Sequence, residues 1–214
     1  MEPDPRRPAR RRLLTGAAAL TASAALAPFG TATAGAAVSA RRHTPGGGAY
    51  PPHQWVPASP SNLTTAKRPT QYPVEMVVIH VTQETYAHTL KLFQNPAHKA
   101  AAHYVVRSAD GHIAQCVRER DVAWHAGNWD YNTRSIGIEH EGWIDDPSWF
   151  TEPLYTRSAQ LTAAICDRYG IPKDREHIIG HVEVPGTDHT DPGEFWDWAR
   201  YLQLVNGLSW RTTM

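Results

Sequence analysis

Apolar positions along the chain fall into short blocks whose period switches between that of a strand and that of a helix. "EMVVIHVT" (75–82) is a nearly unbroken β-branched run and predicts a buried strand. In "TYAHTLKLFQN" (85–95), Tyr86, Leu90 and Phe93 recur at helical spacing, and the run stops before Pro96. "HYVVRSADGHIAQCV" (103–117) places two apolar runs around Asp110-Gly111 and predicts a hairpin. "SIGIEHEG" (135–142) alternates, with Ile136, Ile138 and His140 on one face and Glu139 and Glu141 on the other. A long amphipathic helix is expected over 154–171, closed by Gly170 and Pro172. "HIIGH" (177–181) is a short apolar run that delivers His181, and 192–205 reads as a last helix with Pro192 at its start. Strands interleaved with helices predict an α/β fold of α+β layers, in which the hairpin makes the central sheet mixed.

The N-terminal end follows a different pattern. Residues 1–34 run from a basic start through an Ala/Leu stretch to small residues, the form of an export signal. Arg10-Arg11-Arg12-Leu13-Leu14 resembles a twin-arginine signal, although a Sec signal with a basic start fits the same residues. Cleavage after Ala34 would leave a secreted or wall-associated chain. Basic residues would then fall from 21 to 16 and acidic ones from 21 to 19, a balance that gives no support for nucleic-acid binding. Residues 35–67 are rich in Gly and Pro and read as a linker or extended arm, with Trp55 as its anchor. Residues 68–208 make one domain, followed by a tail at 209–214. For an exported chain, a Cys116–Cys166 disulfide and two separate buried thiols are both compatible with the sequence.

The chemistry gathers in "GHVEVPGTDHTDPG" (180–193), which holds His181, Glu183, Asp188, His189 and Asp191 among turn-forming residues. A solvated surface loop is the plain reading of such a stretch. The rest of the chain argues against it, because His80, His103 and His181 all stand at the ends of structured runs. A catalytic zinc takes three protein ligands and keeps one position for solvent. A loop that doubles back from His181 could return Asp191, and a distant strand could add His80 or His103. Spacing alone chooses neither between those two nor between His181 and His189.

From Pro69 to Asn206 the chain resembles the zinc-dependent N-acetylmuramoyl-L-alanine amidases, whose fold is shared by bacteriophage T7 lysozyme and the peptidoglycan-recognition proteins. The resemblance is carried, in order, by "VVIHVT", "AHYVVRSADGHIAQ", "VAWHAGN", "NTRSIGIEHEG" and "GHVEVPGTDHTDPG". It implies one zinc ion held by His80, His181 and Asp191, with Glu139 handling the proton of the attacking water. It implies a monomer without a membrane span, acting on peptidoglycan or muropeptide. His189 matches a position often filled by Lys or Thr, where it would donate an N–H to the developing oxyanion. Glu141, two residues along the same predicted face, is the rival base.

"AWHAGN" resembles the segment that lines the substrate groove. Trp124, His125, Asn128, Trp129 and Asn132 are the expected substrate-binding residues, since indoles offer flat apolar area to sugar faces. Trp143 and Trp149 are further aromatic candidates, and Arg134 could meet a stem carboxylate. Trp196, Trp198 and Trp210 read better as core. Two other functions compete. A non-catalytic peptidoglycan-binding module on this fold should lack a ligand or the acidic residue, and this sequence retains all four. A histidine-rich metal carrier should show a dense tract, whereas these histidines are scattered.

Overall fold

A computed structural model describes residues 49–207. The export segment, the first part of the Gly/Pro-rich stretch, Trp210 and the tail lie outside the described residues. The strands are β1 (His53–Trp55), β2 (Leu63–Thr64), β3 (Met76–Val81), β4 (Tyr104–Val106), β5 (Ile113–Gln115), β6 (Val122–Ala123), β7 (Ser135–His140) and β8 (Ile178–Gly180). The α-helices are α1 (Tyr86–Gln94), α2 (Trp129–Arg134), α3 (Glu152–Tyr169) and α4 (Trp198–Val205).

Six strands form one mixed sheet in the order β1-β5-β4-β7-β3-β8, and β2 pairs with β6 apart from it. Within the six, only the β4–β5 hairpin is antiparallel; β7, β3 and β8 run parallel side by side. Strand alternation sorts the core into two faces. Val77, Ile79, Val81, Ile136 and Ile138 pack with Leu154, Leu161 and Ile165 of α3 and Tyr201 of α4. Met76, Val78 and Ile179 point the other way, with Ala126 and Val184. On the hairpin half of that second face, Val105 and Ala114 pack with Tyr86 and Phe93 of α1.

Local sequence sets the helix ends. The Thr85 and Thr151 hydroxyls accept from the His88 and Leu154 amides at the starts of α1 and α3. Gly170 closes α3 at φ +70°, a conformation that costs glycine nothing. The last helix corrects the sequence expectation. It begins at Trp198, not at Pro192, because the Asp197 carboxylate accepts from the Arg200 amide and fixes the cap there. Before it, Gly193 turns the chain at φ +83° against Ile144. Trp196 is buried in the core as expected, and Trp198 packs partly against it.

Residues 49–67 lie along the domain. β1 extends the sheet as a parallel partner of β5, and the buried Asn62 amide donates to the Phe93 and Asn95 carbonyls. Trp55 is 40% exposed, with the Arg118 guanidinium over its ring. Cys116 and Cys166 are both free and buried, one in each of the clusters on opposite faces of the sheet. Burial pushes both thiols up to about 12.

Candidate metal centre and cleft

The three parallel strands at the β8 edge end together. His80 of β3 and Glu139 of β7 are register partners, so they share a face, and Gly180 pairs with Ile79. His181 therefore emerges one residue past the end of β8, beside His80. The carboxyl ends of parallel strands are where open α/β sheets place ligands. The loop after His181 returns as the sequence suggested: the Val182 amide donates to the Asp191 carbonyl at 2.9 Å, closing a ten-residue excursion.

His80, His181 and Asp191 are all buried, and their ligand-capable atoms lie within 4.8 Å of one another. Nδ1 of His80 is 3.2 Å from Oδ2 of Asp191, and Nδ1 of His181 is 3.1 Å from Oδ1. Burial would raise the Asp191 carboxyl, but the hydrogen bond from His181 opposes it and the group is held well below the usual range. His103 is not part of the group. It sits just before β4 beside Arg68, its Nδ1 accepting from the Gly137 amide at 3.0 Å. Burial first, then the Arg68 charge, depress its ring well below the ordinary histidine value.

The hydrogen bonds around His80 fix its tautomer. The Ser135 hydroxyl donates to the Tyr131 carbonyl, so Ser135 accepts from Nε2 of His125 at 3.2 Å. His125 then presents a bare Nδ1, which accepts from Nε2–H of His80 at 2.9 Å. Burial depresses both rings, keeping them neutral. The remaining nitrogen of His80 is consequently a lone pair aimed at a carboxylate oxygen. Two acceptors facing each other in a buried site form a seat for a cation between them. Nε2 of His181 and Oε2 of Glu139 are likewise buried without a hydrogen-bond partner. This donor set of two imidazoles and one carboxylate suits a metal of zinc's class.

Glu139 faces the same space. Burial, and then the Asp191 charge, push its carboxyl well above the usual range in the metal-free chain. Glu141 lies elsewhere: β7 ends at His140, and the turn beyond carries Glu141 away from the cleft. Its Oε1 accepts from the Tyr86 amide and its Oε2 from the Ser108 amide, both at 2.8 Å. Because β7 stops at His140, Glu141 falls outside the strand and does not share the cleft with Glu139. His189 stands at the rim with its side chain 60% exposed, stacked on His181 at a centroid distance of 4.2 Å and 3.5 Å from Asp191.

The cleft in front of these residues holds about 690 Å³. Trp124, His125, Trp129 and Asn132 line it; Asn128 does not. Trp129 is half exposed and edge-on to Tyr72, whereas Trp124 donates to the Thr64 hydroxyl. Asn132 is buried, and its Oδ1 accepts from the His125 and Ala126 amides, which shapes the loop. Asn128 caps α2 and donates to the Pro185 carbonyl. Trp143 and Trp149 pack on each other outside the lining, and Arg134 pairs with Glu75 and Asp130. The opposite wall was not read from sequence. It is built by Thr89, Leu92 and Phe93 of α1 and by residues 98–101, with the Lys99 amide held by Oδ1 of Asn62. Lys99 stands at φ +60°, a conformation that single-sequence patterns do not announce.

Residues 70–194 match the protein family described as N-acetylmuramoyl-L-alanine amidase. The chain belongs to that family. It is 37% identical over 170 residues to N-acetylmuramoyl-L-alanine amidase A of Achromobacter lyticus, covering 72% of this chain and 93% of the relative. It is 38% identical over 121 residues to 1,6-anhydro-N-acetylmuramyl-L-alanine amidase AmpD of Escherichia coli K12, covering 53% of this chain and 63% of that enzyme. The fold agrees: a crystal structure of a selenomethionine AmpD derivative superposes with a TM-score of 0.60 at 28% identity, covering 74% of this chain and 97% of that one. The reaction of this amidase is hydrolysis of the amide between N-acetylmuramic acid and the L-alanine of the stem peptide. Among the described residues no helix is long and apolar enough to cross a membrane.

Proposed function

We propose that the amide hydrolysis is zinc-dependent, with His80, His181 and Asp191 as ligands, Glu139 as general base and acid, and His189 as oxyanion donor. The observation that carries it is the lone pair of His80 aimed at the Asp191 carboxylate, a pairing that a bound metal cation relieves. When bound, zinc would acidify a water molecule and polarise the amide carbonyl. The rest falls to side chains. Glu139 is anchored on β7 with an unpartnered oxygen, free to take a proton from the attacking water and return it to the leaving amine. His189 projects from the rim, where an N–H can meet negative charge growing on the carbonyl oxygen. His125 holds the His80 ring, and Asn132 holds the His125 segment. Trp124 and Trp129 offer flat surfaces to the glycan or the stem.

We also propose that the chain is exported, on the basic and apolar pattern of residues 1–34 with small residues at Ala32–Ala34. The decisive test digests purified peptidoglycan with zinc-loaded and with chelated protein and identifies the new ends by mass. Stem peptides with a free N-terminal alanine, released only by the loaded protein, are expected. Equal release after metal removal would overturn the zinc assignment. A non-catalytic binding role would appear as retention on peptidoglycan without any new ends.

A further inference from the structure

The mechanism leaves unused a line of polar side chains buried under the helix-covered face of the sheet. His140 is fully buried on that face, opposite to Glu139. Its Nδ1 lies 2.7 Å from the His80 carbonyl, so Nδ1 carries the proton and donates. Its Nε2 must then accept, and the Ser158 hydroxyl at 2.6 Å is the donor. Having donated to His140, Ser158 accepts from the Tyr201 hydroxyl at 2.7 Å, and Tyr201 accepts from Thr162 at 2.7 Å. Every bond in the series therefore runs in one direction, from α3 and α4 to the backbone of β3.

The series does not stop at the carbonyl. The His80 carbonyl and the Val81 amide belong to one peptide unit, and the Val81 N–H donates to Oδ2 of Asp191 at 3.3 Å. A donor on the carbonyl side polarises that unit and strengthens its N–H as a donor. The same peptide carries the His80 side chain. One buried relay thus bears on two of the three ligands at once, from the face of the sheet that the substrate never reaches.

We infer that Thr162, Tyr201, Ser158 and His140 are positioning residues, whose hydrogen-bond relay acts through the His80–Val81 peptide to set the geometry and affinity of the metal site. This rests on the metal reading above. A purely structural account would treat the four as buried polar groups that merely satisfy one another. That account gives no reason for the relay to end on a ligand's peptide, and it predicts that breaking the relay lowers stability alone.

The two accounts separate on zinc affinity, measured by competition with a chromophoric chelator at fixed pH on folded protein. Loss of a direct outer-shell partner costs roughly 10–100-fold in affinity; Tyr201→Phe and Ser158→Ala act further out, so about three- to tenfold weakening is expected. The matched control is Tyr155→Phe. Tyr155 is likewise buried, on the same helix as Ser158, and its hydroxyl accepts from the Asp197 amide, off the relay. Tyr155→Phe should lower Tm while leaving zinc affinity unchanged. The visible bands of the cobalt-substituted protein should shift in the relay variants and not in the control. Ser158→Ala carries the test if Tyr201→Phe does not fold. Unchanged affinity in both relay variants, or equal weakening in the control, overturns the relay while leaving the metal reading intact. A wild-type chain that binds no zinc removes both.

Discussion

Glu139 and Glu141 are two residues apart, and substitution should show opposite effects of the pair on stability and turnover. Glu141 is 8% exposed and its two oxygens each accept one backbone amide at 2.8 Å, from the first residue of α1 and from the hairpin turn. Glu141→Ala strands two buried N–H groups, each costing about 1–3 kcal/mol, so a loss of about 2–6 kcal/mol is expected. At the middle of that range, and with about 2–4 °C per kcal/mol for a domain of this size, Tm should fall by roughly 12 °C. Glu139 has the reverse character. One of its oxygens is buried without a partner, and its charge is opposed first by burial and then by Asp191. Glu139→Gln keeps the shape and removes the charge, so Tm should hold or rise while turnover falls by about 10²–10⁴-fold.

The assay is calorimetric or circular-dichroism melting in parallel with release of N-terminal alanine, with rates normalised to folded, zinc-loaded protein. Below its Tm, Glu141→Ala should hydrolyse at a rate close to wild type. The reasoning fails if Glu141→Ala melts with wild type, or if it abolishes hydrolysis per folded molecule while Glu139→Gln remains active.

His189→Ala should lower turnover with zinc occupancy intact, measured by metal analysis beside kinetics; loss of bound metal would make residue 189 a ligand. Asn62→Ala, which frees the Lys99 amide and two carbonyl contacts, should raise KM more than it lowers kcat, since it loosens a cleft wall and not the reacting groups. In metal-free protein, His140 is held down to about 3 by burial, and burial also depresses His103. The unfolded chain takes up these protons below about pH 6.5 while the folded one does not, so urea-unfolding stability should fall with pH by up to about 1.4 kcal/mol per unit for each ring, levelling off for His140 near pH 3. Stability that stays flat between pH 6.5 and 4.5 would contradict neutral burial.

The long elements were legible because their apolar periods are strong: β3, α1, the β4–β5 hairpin, β7 and α3 fall where the pattern put them. What escaped was short or set by side chains. β1, β2 and β6 are two or three residues long, and α2 is six residues started by the Asn128 cap, too brief for a helical period to show. Gly137 looked like one more strand position. A Cβ there would come within 2.5 Å of the His125 ring, so the glycine makes the room in which His125 reaches His80. Lone residues of this kind carry no periodic signal.

The same limit explains why sequence could not choose between His80 and His103. Both stand at a strand end, and both are buried histidines with neutral rings. What separates them is the neighbouring strand. Parallel pairing of β3 with β8 brings His181 beside His80, while His103 precedes β4, two strands away, where its Nδ1 accepts from the Gly137 amide and its Nε2–H donates to the Asp121 carbonyl. A histidine whose nitrogens are already engaged has no lone pair to give a metal. His80 has one, because Ser135 and His125 fix its proton on the far nitrogen. Ligand identity here is thus a property of the hydrogen-bond chain behind each ring, and that chain exists only once the sheet order is set.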